Sequence, residues 1–372
     1  MKTEPATLRI QADTWDFRAR LLGWYDAHAR DLPWRRDQDP YRVWLSEIML
    51  QQTRVAAVIE HYHEFLRRFP TVEKLAAARE ASVLAAWSGL GYYRRARMLH
   101  AAAKVVTRKL GGRFPTTAEA LLDLPGIGRY TAAAIASIAF GEAVAVVDGN
   151  VERVLQRISG QQLSGEKFWN AAGELLDRER PGDFNQAMME LGATVCTPRG
   201  PSCLTCPVVD LCATRGELAD TPKTAPQKKR EIHYALHFRD TDGSNGKVFL
   251  VQRARDASLM AGMWELPEIE VLTGKKQVPR FTLNDKSEES KQAPRFVRDD
   301  KRKRSHHKSN GRATPIFMVR HSITVTDYTV RVWQGETPRA ISGQWILVER
   351  LNRLPLTGLA RKILRKAEIL QD

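Results

Sequence analysis

Cysteine is scarce in this chain of 372 residues: only four occur, and all of them lie between positions 196 and 212. The sequence also lacks an apolar stretch long enough to span a bilayer. Residues 1–20 carry scattered charges and lack the apolar core of a secretory signal. We therefore expect a cytoplasmic protein that does not interact with a membrane.

Acidic residues are fewer than basic residues. The chain has 43 Asp and Glu and 58 Lys and Arg, which gives a formal net charge of +15. A basic surface attracts phosphate backbones, although a soluble protein with a basic tail would carry the same charge. Hydrophobic residues make up 43% of the chain and charged residues 27%, which is typical of globular proteins. The length exceeds that of one typical domain, so we expect two or three.

The spacing of apolar residues divides the chain in two. Across residues 14–211 they recur every three or four positions, which predicts an all-α region. Glycine and proline predict breaks in it at residues 89–91, 111–112, 125–126 and 181–182. Further along, residues 234–238, 248–251 and 324–333 alternate as β-strands do.

The predicted fold class is therefore α+β, with an all-α domain at residues 1–212 and a smaller α/β domain at residues 232–372. Residues 213–231 contain two prolines and a basic run, and are predicted to be a linker. Residues 273–314 are polar and very basic, and cannot bury enough apolar surface to order themselves. We expect this insert to be either a solvated loop or a DNA contact.

The four cysteines, Cys196, Cys203, Cys206 and Cys212, have the spacing C-x6-C-x2-C-x5-C. In a reducing compartment, thiolates so close together indicate the ligands of one metal centre rather than disulfides. A structural zinc ion and an iron-sulfur cluster each take four thiolates, so the spacing leaves both open.

Gly126 and Gly128 precede an alanine-rich helix and allow a tight turn whose amides can bind a phosphate. On their own they fit a plain turn between helices better. About twenty residues later, Asp148 is predicted to cap a helix that starts near Asn150. A carboxylate fixed there can stabilise positive charge that develops on a sugar.

Glu47 lies on an otherwise apolar helical segment, residues 42–53. An apolar setting raises the pKa of a carboxyl group and keeps it protonated near neutral pH. A protonated carboxyl can act as a general acid on a leaving base, whereas a surface glutamate is the plain alternative.

Together these motifs resemble the MutY-type adenine DNA glycosylases of the helix-hairpin-helix and endonuclease III superfamily. The resemblance implies a 4Fe-4S cluster on the four cysteines, and Glu47 and Asp148 as catalytic carboxylates, with Tyr130 and Asn150 in the same site. Bifunctional members of the superfamily, which also cut the strand, carry a lysine where this chain has Tyr130. The resemblance therefore implies a monofunctional enzyme.

The resemblance also assigns residues to substrate and DNA binding. They are Arg30, Leu32, Trp34 and Arg35 for the adenine pocket, Gln186 for a contact to the flipped base, Gln52 and Tyr92 as wedges in the base stack, and Gly126 and Gly128 for the hairpin. On their own, Leu32, Trp34 and Tyr92 fit core positions equally well.

Residues 248–253 and 262–267 resemble the Nudix-like C-terminal domain of this family. The clustered glutamates that a Nudix hydrolase needs for magnesium are missing, which leaves a recognition role. In the family a Phe-Ser-His loop reads the base opposite adenine. Here Val319-Arg320-His321 keeps only the histidine, which puts the preference for 8-oxoguanine in question.

We thus expect a monomeric, bacterial, nucleoid-associated adenine DNA glycosylase acting on double-stranded DNA with A:8-oxoguanine or A:G mispairs. An endonuclease III-like enzyme for oxidised pyrimidines is one alternative, against which Tyr130 argues. A non-catalytic DNA-binding protein is another, against which the presence of both Glu47 and Asp148 argues.

Overall fold

A computed structural model of the chain forms two compact units, Met1–Lys223 and Thr224–Asp372. The residues that the structure describes are 14–218, 227–239, 246–257, 259–269, 314–323, 326–335 and 341–371. The predicted basic insert, except Thr314, lies outside these ranges. No helix within them is long and apolar enough to cross a membrane.

The first unit is helical, as the apolar spacing predicts. Its α-helices are α1 (Thr14–His28), α2 (Pro40–Leu50), α3 (Val55–Arg68), α4 (Val72–Ala77), α5 (Glu80–Ala86), α6 (Arg94–Lys109), α7 (Ala118–Leu121), α8 (Arg129–Phe140), α9 (Gly149–Ser159), α10 (Glu166–Leu175) and α11 (Pro181–Thr194). Short 3-10 helices cover Pro33–Arg35, Cys203–Thr205 and Val209–Leu211.

Helix ends follow the local sequence, with one exception. Asp39 caps α2 and Asp148 caps α9 through their side chains, and Gly141 ends α8 in the left-handed conformation. The predicted break at residues 181–182 is wrong, because Pro181 begins α11 instead of interrupting a helix. Proline suits a first turn, where its missing N–H would have no partner within the helix.

Helix α8 is the centre of the first unit, and its residues 131–138 are all buried. Helices α2, α7 and α11 pack around it. Gly182 of α11 lies so close that an added Cβ would stand 2.7 Å from the Ser137 carbonyl oxygen. This packing brings α2, α8 and α11 together, and each of them carries a residue of the candidate site.

The second unit is a small mixed α/β structure. Its elements are β1 (Lys228–Leu236), β2 (Phe238–Arg239), β3 (Lys247–Gln252), β4 (Trp264–Glu265), β5 (Phe317–Ile323), β6 (Thr326–Gln334), β7 (Gln344–Leu347), a 3-10 helix (Val348–Arg353) and α12 (Gly358–Lys366). The α+β class is confirmed. Strand β1 begins at Lys228, inside the segment predicted to be a linker.

Two sheets build the second unit. In one, β6 lies between β1, to which it is parallel, and β5, to which it is antiparallel. In the other, β3 pairs antiparallel with β2, β4 and β7. Val330 and Val332 of β6 and Ile363 and Leu364 of α12 belong to one buried cluster. The alternating segments of the sequence thus form strands whose apolar side chains face a core.

Candidate active site

Glu47 lies inside the protein on α2, with 6% of its surface exposed. Burial raises the pKa of its carboxyl group to about 7. A hydrogen bond from Tyr130 opposes the rise, the negative charge of Asp148 adds to it, and Arg35 opposes it weakly. The apolar setting predicted for Glu47 is therefore present, and its carboxyl group can carry a proton near neutral pH.

Tyr130 connects Glu47 to the hairpin helix. From the first turn of α8, its hydroxyl donates a hydrogen bond to Glu47 Oε2 at 2.7 Å and lies 3.4 Å from Met189 Sδ. Burial and the charges of Glu47 and Asp148 raise the pKa of the phenol well above its usual value. Tyr130 therefore remains a proton-bearing donor that fixes one oxygen of the Glu47 carboxylate.

Asp148 caps α9 as predicted. Its Oδ1 accepts hydrogen bonds from the backbone N–H groups of Asn150 at 2.9 Å and Val151 at 2.8 Å. Its Oδ2 accepts one from the side-chain amide of Asn150 at 2.9 Å. Three donors therefore hold the carboxylate at the positive end of the helix dipole, where a negative charge is stabilised.

Asn150 is held in turn by α9 and α11. Arg153 donates to Asn150 Oδ1 at 2.9 Å and to the carbonyl oxygens of Gly192 and Cys196 at 2.7 and 2.8 Å. Gly192 is required there, because an added Cβ would stand 2.6 Å from Asn150 Cβ. Arg153 thereby links the Asp148 cap to the start of the cysteine segment, a role that the sequence did not indicate.

Asn185 fixes the backbone that leads into Asp148. Its side chain accepts a hydrogen bond from Val146 N at 3.0 Å and donates to the Val144 carbonyl and to Ser137 Oγ, both at 2.9 Å. Asn185 is 2% exposed. A fully used buried amide of this kind positions a loop rather than binding a substrate.

Glu190 is a second buried carboxylate near the site, and the sequence analysis did not select it. Arg30 donates to it at 2.6 and 2.7 Å, and Arg35 at 2.8 Å. Burial would raise the pKa of Glu190, but the hydrogen bonds from Arg30 and Arg35 outweigh it and lower the pKa. Glu190 is a charged residue within the otherwise apolar stretch 188–191. The same pattern identified Glu47, so it could also have identified Glu190 from the sequence.

The other predicted pocket residues divide into core and partly exposed positions. Leu32 and Trp34 are buried, and the Trp34 ring packs edge-on against Tyr62 with 5.4 Å between centroids. Gln186 is half-buried on α11, one turn before Glu190. Gln186 and Glu190 therefore lie on the same face of the helix.

Gln52 and Tyr92, the two predicted wedges, share an unusual backbone. Both have positive φ, 57° and 48°, although neither is glycine. Both are exposed, and Tyr92 presents 44% of its surface. Left-handed backbone is costly for such residues and concentrates at functional sites.

The hairpin turn depends on its first glycine. Gly126 has φ of 78°, and an added Cβ would stand 2.4 Å from Met98 Cβ. Gly128 is the N-cap of α8, and no heavy atom lies within 4 Å of where its Cβ would be. The two glycines therefore differ: Gly126 packs against α6, whereas Gly128 faces open space at a helix N-terminus.

The four cysteines are all half-buried, and none of them forms a disulfide. Burial raises the pKa of the Cys206 thiol to about 11. Arg157 donates to Cys196 Sγ at 3.3 Å. Within the described residues, no three or more His, Cys, Asp or Glu side chains are arranged to hold a metal ion. The donor set fits a four-thiolate centre by its chemistry.

His321 lies in strand β5, not in a loop as the resemblance implied. It faces Tyr328 across the strand pair and is half-buried. Burial lowers the pKa of its imidazole, and the charge of Lys362 adds to this effect. Pairing with β6 fixes this segment as a strand, which the isolated motif did not reveal.

Comparison with known proteins agrees with this geometry. Residues 45–171 match the HhH-GPD superfamily of base excision DNA repair proteins. An adenine DNA glycosylase of Homo sapiens is 41% identical over 70% of this chain and 59% of its own length. One of Schizosaccharomyces pombe is 34% identical over 68% of this chain and 69% of its own length.

A solved thermostable thymine-DNA glycosylase is similar to the helical part, with 33% identity and a TM-score of 0.52 over 54% of this chain and 96% of that one. The chain spans less than two thirds of the human relative's length. The match to the Schizosaccharomyces pombe protein exceeds two thirds of that relative, and the HhH-GPD match at residues 45–171 includes Glu47 and Asp148. The chain therefore belongs to the adenine DNA glycosylase family.

Proposed function

We propose that this protein is a monofunctional adenine DNA glycosylase that removes adenine mispaired with 8-oxoguanine or guanine in double-stranded DNA. The observation that carries the proposal is the pair of carboxylates, Glu47 and Asp148, in different environments. Glu47 is buried, with a pKa near 7, and Asp148 is held by three hydrogen-bond donors. Such a division gives one proton donor and one carboxylate held in place by hydrogen bonds.

In the proposed reaction, Glu47 gives its proton to a ring nitrogen of the flipped adenine. The bond between the sugar C1′ and the base then breaks, and its electron pair leaves with the adenine. The hydrogen bond from Tyr130 fixes the orientation of the Glu47 carboxylate. The acid gives up its proton in the reaction and regains one afterwards. A pKa near neutral pH suits both steps.

Asp148 has the complementary task. Loss of the base leaves an oxocarbenium-like positive charge on the sugar, and a nearby carboxylate stabilises it electrostatically. A water molecule then adds to C1′, and its surplus proton returns to Glu47. The products are free adenine and an abasic strand.

We assign Arg30, Arg35 and Gln186 to adenine recognition, and Leu32 and Trp34 to the apolar walls of the pocket, with Glu190 as the residue that positions the two arginines. The planar guanidinium groups and the amide offer donors and acceptors suited to the edge of a flipped base. The ion pairs with Glu190 support this assignment, because they hold both arginine side chains in fixed positions.

The mispair preference is tested with four duplexes that differ only in the base opposite adenine: 8-oxoguanine, guanine, cytosine or thymine. Alkali after the reaction reveals abasic sites. We expect excision opposite 8-oxoguanine and guanine to exceed excision opposite cytosine and thymine. Equal excision rates on all four duplexes would contradict the proposed mispair preference. Absence of excision on all four would contradict the proposal that the protein is a glycosylase.

We propose a 4Fe-4S cluster on Cys196, Cys203, Cys206 and Cys212, which would cross-link the end of the first unit. The purified protein should be yellow-brown and contain about four irons per chain, one for each thiolate position. Cys206→Ser should lower the iron content, as measured by elemental analysis and near-visible absorbance. A colourless protein with one stoichiometric zinc contradicts the assignment.

We propose that the protein removes the base and does not cut the strand, because Tyr130 occupies the position of the lysine in bifunctional enzymes. The Tyr130→Lys variant places an amine beside Glu47 and should gain a complex with abasic DNA that borohydride traps. Gel electrophoresis of the trapped complex measures the gain. Wild-type protein that already forms this complex as fast as it removes adenine contradicts the monofunctional assignment.

A further inference from the structure

One arginine connects the two turns that carry Gln52 and Tyr92. Arg95 lies on the first turn of α6 and is half-buried. Its guanidinium reaches the segment after α2 on one side and residues 89–92 on the other. Its acceptors are the carbonyl oxygens of Ile48, Met49, Gln51, Leu90 and Gly91 and the hydroxyl of Thr53.

The positions of two of these acceptors are informative. The Gln51 carbonyl belongs to the peptide bond that enters Gln52, and the Gly91 carbonyl belongs to the peptide bond that enters Tyr92. Gln52 and Tyr92 are among the five non-glycine residues with positive φ in the described part of the chain. A non-glycine residue with such a backbone is strained and persists only where its surroundings hold it.

Ring contacts reinforce the same arrangement. The guanidinium carbon of Arg95 lies 5.4 Å from the centroid of the Tyr92 ring and 5.5 Å from that of Trp87. Trp87 Nε1 also donates to the Gly91 carbonyl at 3.1 Å. Burial lowers the pKa of Arg95 to about 10, so the group still carries its charge at neutral pH.

We propose that Arg95 is a positioning residue that holds the Gln52 and Tyr92 turns as one rigid unit, so that both side chains enter the base stack together when adenine is extruded. This inference rests on the proposed function and on the wedge roles that the family resemblance implies for Gln52 and Tyr92. The hydrogen bonds from Arg95 to the two turns, called the clamp below, are a property of the folded chain itself. The guanidinium does not touch the base; it fixes the separation and the backbone of the two residues that do. Loss of the clamp therefore affects extrusion of the base rather than cleavage of the bond.

The test compares two substrates under single-turnover conditions. One is a duplex with adenine opposite 8-oxoguanine, and the other carries adenine in a single-nucleotide bulge, which is cheaper to extrude because it is already unpaired. Arg95→Met should slow excision from the full duplex by about 100-fold, the scale of a small misplacement in an active site. On the bulge the loss should be below about tenfold.

Arg97→Met is the matched control, because Arg97 lies on the same helix and pairs with Glu80 at 3.0 Å. It should leave excision from both substrates unchanged. Arg95→Lys keeps the charge but offers three donors from one atom, and should show a smaller loss with the same duplex-specific pattern. If Arg95→Met does not fold, Arg95→Lys is compared with the wild-type protein on the same two substrates.

Hydrogen exchange tests the clamp without any reaction. In the Arg95 variants, peptides covering residues 50–54 and 89–94 should exchange faster together, while the hairpin at 124–130 keeps its protection. Equal activity losses on both substrates, or faster exchange across the whole helical unit, would mean that Arg95 only supports the fold. If wild-type protein excises adenine from neither substrate, the proposed function fails, and the exchange pattern alone decides whether the clamp exists.

Discussion

Glu47→Gln should bind mismatched DNA normally and excise adenine about 10²- to 10⁴-fold more slowly, which is the usual contribution of a general acid. Glutamine keeps the shape of the side chain and can accept the hydrogen bond from Tyr130, but it has no proton to give. In the wild-type protein the acid must be protonated, so the excision rate should fall about tenfold per pH unit well above pH 7. Single-turnover rates between pH 6 and 9 measure both effects.

Stability supplies an independent check on the same variant. The folded pKa of Glu47, about 7, lies above the ordinary glutamate value of 4.5, so the native state binds more protons than the unfolded state between these values. Wild-type stability from this group therefore falls as pH rises through that window. At pH 8 the melting temperature of Glu47→Gln should be no lower than that of the wild type. Slow excision by this variant would then result from the missing acid proton and not from unfolding.

Glu64→Gln is the control for this experiment, since Glu64 is a partly exposed carboxylate on α3 paired with Arg67 and Arg68. It should excise adenine at the wild-type rate. A Glu47→Gln variant that is folded and retains wild-type excision would exclude Glu47 as the acid.

Asp148→Asn should lower excision by about 10²- to 10³-fold, because a neutral amide cannot stabilise the positive charge on the sugar. Asparagine caps helices about as well as aspartate does, so its Oδ1 can still accept from the backbone N–H groups of Asn150 and Val151. The contact between Asp148 Oδ2 and the Asn150 amide is lost. Melting temperature and excision rate should therefore separate, with a small change in the first and a large one in the second.

Asp39→Asn offers the same chemical change at another helix start, where Asp39 accepts from Arg42 N at 3.1 Å. Its excision rate should stay within about twofold of wild type, as expected of a cap without a charge-stabilising role. If the two Asp→Asn variants lose activity equally, the effect of Asp148 comes from capping and not from its charge.

Local patterns in the sequence were sufficient for several features of the fold and the candidate site. The apolar spacing predicts the helices, and the setting of Glu47 predicts its burial and raised pKa, because both depend on residues within a few turns. The cap at Asp148 follows from residue types next to it in sequence. Alternation likewise predicts β1, β3 and β6 in the second unit.

The features that the sequence did not reveal depend on contacts between distant segments. Glu190 accepts hydrogen bonds from Arg30 and Arg35, which lie about 160 positions earlier in the sequence. Arg95 donates hydrogen bonds to carbonyl groups more than 40 positions away in the sequence. Backbone carbonyls have no residue-specific signature, so no motif marks the Arg95 clamp. His321 was predicted in a loop because a short motif does not report the strand pairing of β5 with β6.

The most direct test of the proposed reaction follows both products of one substrate. A duplex with adenine opposite 8-oxoguanine, labelled on the adenine strand, is incubated with the wild-type protein. Free adenine is quantified by chromatography, and strand integrity is measured before and after alkali. The proposal predicts one adenine released per abasic site and an intact strand until alkali is added. Absence of free adenine, or strand cleavage before alkali at the rate of base loss, would contradict it.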